Sequence, residues 1–248
     1  GDRIIRQPYD FGRAFRNINN CYLQVDDINL PANWGFVIIS DMKGPFNDAT
    51  DNGLFQAIAP SLSLADNFVA RRRSNASLLP NVIDNITYAI ESNVEEYPIR
   101  YFFSKSDKYL SFNAVSRTLS EVTAIRTEAV RAHIRIGACG GYLSNSSNAS
   151  MFLSALQGST INRVYIVNRE LSVSELLYLW NNRLFDNPQS MEGFIHDYNN
   201  QFAEIINISG TDYVCVNDSI GNKPAKIMNL PAGTLQEQLD WANANLFV

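Results

Sequence analysis

The 248-residue sequence is poor in the side chains from which metal and redox sites are built. It holds two histidines, His133 and His196, and three cysteines, Cys21, Cys139 and Cys215. No His-x-x-x-His pair occurs, so the usual zinc-hydrolase constellation is absent. Three cysteines far apart make no disulfide framework and no Cys-rich zinc site, and each reads as a buried thiol acting as a small hydrophobe. Charge is also scarce. Asp, Glu, Lys and Arg make up 18% of the chain, below the usual quarter, which excludes a disordered or coiled-coil chain. The formal net charge is -5 and the pI about 5.1. A general nucleic-acid binder needs clustered positive charge to displace counterions, so that class is excluded. No run approaches the ~18 consecutive apolar residues that span a membrane.

What is abundant points to β structure. Hydrophobic residues make up 46%, enough for a substantial core at this length. Asn supplies roughly one residue in nine, and it favours turns because it tolerates positive φ and bonds to nearby backbone. With 14 Phe and 11 Tyr, the composition describes many short strands joined by many turns. Strands are predicted at 21–25, 35–40, 133–136 and 163–167, with a hairpin formed by Tyr101–Phe103 and Tyr109–Phe112 around a polar turn. Two helices are predicted, over 172–184 and 234–245. Each opens on a capping box, Ser172-Val173-Ser174-Glu175 and Thr234-Leu235-Gln236-Glu237. After the boundary at Asn187-Pro188, short strands are predicted at 193–198, 203–208, 213–216 and 226–230. Six Asn-x-Ser/Thr patterns carry no weight in so Asn-rich a chain.

Gly12-Arg13-Ala14-Phe15, Cys21-Tyr22-Leu23-Gln24-Val25 and Phe36-Val37-Ile38-Ile39-Ser40 resemble the opening strands of laminin-G-like, concanavalin A-like lectin domains. Gly158 to Leu176 resembles that family's closing signature: a Gly, a strand ending in Tyr and Asn-Arg, then Leu-Ser and a capped helix. The resemblance covers roughly residues 11 to 182. It implies an all-β fold, a two-sheet antiparallel jelly-roll sandwich with a few short helices. The division expected is a jelly-roll domain over 1–187 and a C-terminal strand and helix segment over 188–248, packing on or completing the same sandwich. Val216-Asn217-Asp218-Ser219-Ile220-Gly221-Asn222, followed by Ala225-Lys226-Ile227, resembles the leader that usually precedes the Gly-x-Ala strand. The tail therefore either folds back to supply missing strands, with Cys215 inward, or begins a second unit that pairs with another chain.

Enzymes on this scaffold carry recognisable strings. The glucanase strings Glu-x-Asp-x-x-Glu and Glu-x-Asp-x-Glu, whose carboxylates serve as nucleophile and acid, do not occur. Arg126-Thr127-Glu128-Ala129-Val130-Arg131 resembles an alginate-lyase strand with one extra residue, which sends Arg131 to the other face. A non-catalytic chain is therefore expected. Asp41, Asp48 and Asp51, on an Asn-rich loop, are hard oxygen ligands suited to Ca2+, against the alternative of an ordinary turn. The candidate ligand-binding residues are Trp34 and Tyr142, whose rings can stack on sugar, and Arg71 and Arg73, which can face an anionic group. Their competing roles are core closure for the rings and solvated edge charge for the arginines.

The resemblance implies a recognition module that binds carbohydrate or another cell-surface ligand. It would belong to a secreted or surface protein, or to a phage tail fibre or other virion component. An extracellular, cell-surface or virion location and a glycan partner are expected, with no nucleic acid and no membrane span. The alternative is a structural assembly domain, a homo-oligomer without glycan affinity. A carbohydrate-active enzyme such as a polysaccharide lyase is the third reading.

Overall fold

The computed structural model describes residues 14–16, 18–19, 21–41, 52–58, 68–72, 86–90, 99–104, 108–113, 117–123, 130–137, 139–140, 151–152, 160–182 and 191–248. In chain order the strands are β1 (Phe15–Arg16), β2 (Tyr22–Leu30), β3 (Trp34–Asp41), β4 (Asn52–Ile58), β5 (Phe68–Arg72), β6 (Ile86–Ile90), β7 (Ile99–Ser104), β8 (Lys108–Asn113) and β9 (Thr118–Thr123). They continue with β10 (Val130–Ile136), β11 (Cys139–Gly140), β12 (Met151–Phe152), β13 (Thr160–Val167), β14 (Phe194–Asn199), β15 (Glu204–Ile208), β16 (Thr211–Val216) and β17 (Ala225–Met228). Helices α1 (Val173–Asn182) and α2 (Leu235–Asn245) lie within two residues of their predicted ends. No helix among the described residues is long and apolar enough to cross a membrane.

The strands form an all-β sandwich. One sheet runs β1-β13-β3-β7-β8-β9, with β14 sharing β1's side of β13; the other runs β15-β16-β17-β2-β10-β4-β5-β6. Pairing is antiparallel in both, except that β5 and β6 are parallel. The predicted hairpin is β7–β8, in register from Phe102–Ser111 to Ser104–Tyr109. Alternation sorts the side chains. Trp34, Phe36 and Ile38 face the second sheet, where they meet Leu23, Val25, Phe55, Ile134 and Val216 in the larger core cluster. Val37 and Ile39 face the other way and join Tyr101, Phe103 and Tyr165 beneath α1. Gly35 lies among them without a side chain because a Cβ there would collide with the Phe102 carbonyl oxygen across the ladder.

Helix α1 covers that second face. Its amphipathic stripe buries Leu176 and Leu179 completely. Ser172 caps it as expected: Glu175 N donates to Ser172 Oγ at 3.3 Å, and Ser172 N donates to Glu175 Oε2 at 2.8 Å. Glu175 also takes two hydrogen bonds from Arg169 (3.2 and 2.6 Å). Burial opposes the ionisation of Glu175, but these partners outweigh it and hold its carboxyl below the usual range.

The segment after residue 190 contributes to both sheets. β14 pairs with β13 over Arg163–Val167, and β17 pairs with β2 through Lys226–Gln24, Ile227–Leu23 and Met228–Tyr22. Residues 246–248 bond along β1, and the rings of Phe247 and Phe15 meet edge to face at 5.9 Å. β15 and β16 are joined by Ser209 (φ 52) and Gly210 (φ 91), the two-residue turn with both centres at positive φ that matches strand twist. Among the described residues, three of the six non-glycine residues at positive φ are Asn (Asn19, Asn222 and Asn229), which gives part of the high Asn content a backbone role.

Two expectations on buried residues divide. Cys21 lies in the core cluster, and burial pushes its thiol up to about 11. Cys215 is fully buried but not inward: Val214 and Val216 take the core face, so alternation turns Cys215 to the opposite one. Its thiol is pushed up to about 12 by burial.

Two measurements probe this architecture. Leu179→Ala is expected to cost about 2–5 kcal/mol in urea unfolding, and Ser172→Ala about 1 kcal/mol; a parent-like Leu179→Ala would mean that α1 is not docked. Truncation after Asn187 removes nine of the 26 buried residues of the larger cluster and is expected to leave an insoluble or molten product. A 1–187 fragment that unfolds cooperatively at near-parent stability would show the tail to be separable.

Candidate functional site

Of the residues nominated from sequence, Trp34 moves to a different role. It is 4% exposed and packs on Phe55 and Phe102, with ring centroids 6.3 and 6.2 Å away. Its ring belongs to the inter-sheet core and is no stacking platform. Alternation explains why, since Trp34, Phe36 and Ile38 share one face. Arg71 lies on β5, paired with Gly53 and Ala89, and Asp41 ends β3 opposite Thr160; neither side chain is among those described. Tyr142, Arg73, Asp48 and Asp51 lie outside the described residues, as do Arg126, Thr127, Glu128 and Ala129. Among the described residues no group of three or more His, Cys, Asp or Glu side chains is placed to hold a metal ion.

The structure assembles a different site where β16 and β17 part. Their ladder holds two pairs, Cys215–Lys226 and Val216–Ala225, and then stops. Beyond it the strands separate at Tyr213 and Val214 on one side and Ile227 and Met228 on the other, and a cleft of about 330 Å³ opens between them. Asp26, Lys226 and Tyr213 line it together with Leu230, and Leu235 and Gln238 of α2 complete the wall.

A bulge sets the position of Asp26. Val25 pairs with Ile134 and Ile28 with Ala132, so Asp26 and Asp27 together oppose His133. Asp27 takes positive φ (57°) as the extra residue. Asp26 thereby continues the outward series of Tyr22 and Gln24, while Ile28 and Leu30 return to the core. Its carboxylate accepts from Lys226 Nζ at 2.8 Å and Gln24 Nε2 at 2.7 Å, and lies 3.2 Å from His133 Nδ1. Burial opposes the charge on Asp26, but the hydrogen bonds of Lys226 and Gln24 and the charge of Lys226 win, and its carboxyl falls below its ordinary value. Lys226 is raised for the reciprocal reason: burial works against its charge and Asp26 more than offsets it. The ammonium also sits 3.9 Å from the centroid of the Tyr213 ring, a cation–π contact that covers one face of the ring. The cleft therefore presents an ionised pair of opposite sign, a phenol, an amide and apolar side chains.

A second polar constellation is buried nearby in the chain. Asp218 is fully buried and accepts backbone N–H bonds from Asp197 (2.9 Å), Ile220 (3.2 Å), Gly221 (3.0 Å) and Lys223 (3.0 Å). Its Oδ2 lies 2.6 Å from His196 Nδ1. Burial opposes its ionisation, but His196 and the backbone donors hold the carboxyl below its usual value. Asp197 is gripped by Arg163 through two bonds of 2.7 and 2.6 Å and by Ser219 Oγ at 2.6 Å. Gly221 is required beside the histidine, because a Cβ there would collide with the His196 ring. Ser, His and Asp are all present, yet not as a relay: Ser219 donates to Asp197, while His196 faces Asp218. The network acts as a staple that ties the connection between β16 and β17 to β14, with an isolated bridge at Tyr198–Asp218.

The sequence reading missed both constellations. His196 was visible as one of two histidines, and Asp218 and Gly221 lay in the segment read as leader-like, but nothing local linked them. In comparisons with known proteins, no family model, no curated protein and no solved structure matches the chain.

Removing Asp218 leaves four backbone N–H groups, that of Asp197 buried, and a buried histidine without their partner, so Asp218→Ala is expected to destabilise by about 3–5 kcal/mol. Because the folded-state value of Asp218 is depressed, its contribution is present above the unfolded carboxylate value of about 4 and is lost as pH falls through the folded one. Urea midpoints at neutral and acid pH should show this loss, and Asp218→Asn should flatten it. An unchanged acid slope in Asp218→Asn would remove Asp218 from the account.

Proposed function

We propose that the protein is a non-catalytic recognition module that binds carbohydrate or another polyhydroxylated cell-surface ligand in the cleft between β16 and β17. The observation that carries the reading is the combination of groups lining that cleft. Asp26 is an ionised acceptor for sugar hydroxyls, and Lys226 and the Gln238 amide supply polar contacts. The exposed flank of Tyr213, with Met228, Leu230 and Leu235, offers apolar surface to the C–H side of a ring. Both charged groups are already paired with each other, so the cleft is close to neutral and favours an uncharged glycan. The two-sheet architecture is compatible with the jelly roll that the sequence resemblance implies, and we read the fold as concanavalin A-like on that basis. An extracellular, cell-surface or virion setting, including a phage tail fibre, goes with this reading. Calcium at Asp41, Asp48 and Asp51 and a glycan contact from Tyr142, Arg71 or Arg73 remain proposals of the same kind.

A glycan array tests it. Hits are expected to be weak in the monovalent state, with dissociation constants toward the millimolar end, about -4 kcal/mol. Asp26→Asn and Tyr213→Ala should each weaken binding about tenfold, about 1.4 kcal/mol, with melting temperature as the control for folding. No hits at high protein density, or hits indifferent to both substitutions, would overturn the assignment to this cleft.

A further inference from the structure

We propose that β15 is a self-association edge, through which two copies of this chain join their eight-stranded sheets into one continuous sheet. β15 ends that sheet among the described residues. Its inner side is fully paired with β16, from Glu204–Cys215 to Ile208–Thr211, with no bulge. Among the described residues no strand pairs with its outer row of main-chain N–H and C=O groups. Edge strands usually carry devices that prevent pairing with another chain: proline, lysine, a bulge or a covering element. Glu204-Ile205-Ile206-Asn207-Ile208 has no proline, lysine or bulge, and α2 caps only the main chain of Ala203, just before the strand, through the Asn243 amide (2.8 and 3.1 Å). Ile205 is instead 38% exposed, and Phe202, just before the strand, is 53% exposed.

The occupant that fits is a second copy. A twofold axis through Ile206 pairs all five residues in antiparallel register: Glu204 with Ile208, Ile205 with Asn207, and Ile206 with itself. Registers shifted by two residues keep the faces aligned but lose pairs. A shift of one turns the core side of one sheet against the outer side of the other. Glu204 is the only charged residue of the strand, and in this register it meets Ile208, not a second carboxylate. A five-residue edge flanked by Phe202 falls short of the roughly 800 Å² per partner of a stable interface, so the dimer is reversible and depends on concentration. Ile206 pairs with Tyr213 within the chain and shares its face. The two Tyr213 rings then stand three strand spacings apart, about 14 Å, on the same side of the joined sheet. This last consequence, unlike the dimer itself, rests on the cleft reading.

Sedimentation velocity on the full chain up to about 1 mM should show the mass rising from 27.8 kDa toward twice that value. Ile206→Lys, which sets two ammonium groups against each other at the axis, should weaken association at least tenfold while leaving the urea midpoint near the parent's. The register has its own readout. Under mild oxidation Ile206→Cys should give a disulfide-linked dimer, whereas Ile208→Cys alone should not, and Glu204→Cys mixed with Ile208→Cys should cross-link. A monomer at every concentration overturns the proposal. So does a dimer that Ile206→Lys leaves intact, or one in which Ile208→Cys cross-links as readily as Ile206→Cys. Glycan binding by the Ile206→Lys monomer is measured separately, so loss of the dimer and loss of the cleft reading are distinguishable.

Discussion

The central strands β3 and β13 are buried on both faces, and most of the architecture answers that demand. Ile38 and Val164 need an apolar partner on one side, and Val37 and Tyr165 need one on the other. A sheet with only one cover would leave a long row of large side chains in water, at about 25 cal/mol for each Å² of apolar surface. The eight-stranded sheet supplies one cover and α1 the other. The close fit of α1 rests in turn on small local devices: the Ser172–Glu175 cap, the Arg169 clamp on the same carboxylate, and the Tyr101 hydroxyl, which accepts from Leu171 N at 2.9 Å at the mouth of the helix.

The polar features sit where this layered packing is interrupted. The bulge at Asp26–Asp27 breaks the pairing of β2 with β10 and brings a carboxylate and His133 together. The parting of β16 from β17 leaves room for a cleft. The staple around Asp218 holds the connection at the paired end of the two strands, and Leu235 and Gln238 of α2 wall the open end.

What the sequence disclosed follows the range of the interactions involved. Both capping boxes are made within four residues, and both were legible. The β7–β8 hairpin and the β15–β16 strands are joined by short turns and were legible too. Trp34 was ambiguous as a residue before a strand and is resolved by parity once the strand begins at Trp34 itself, two residues before Phe36. The inward assignment of Cys215 failed by that same parity, since Val214 and Val216 claim the core face. The cleft was out of reach for a different reason. Lys226 and Asp26 are 200 residues apart, and their meeting depends on which of several equivalent β strands borders β2. No local pattern encodes that choice.

The pairing of β17 with β2, and of residues 246–248 with β1, has a consequence for how the chain acquires its structure. Contacts spanning more than 200 residues give a high contact order, and loop-closure entropy must be met before such contacts return anything. Folding on a timescale of milliseconds to seconds or longer is the corresponding regime. During synthesis, at roughly 5–20 residues per second, β2 leaves the ribosome some ten seconds or more before its neighbour β17 exists. Through that interval one side of Leu23 and Val25 has no sheet to join, and the growing chain carries an adhesive segment that only its own late residues can cover.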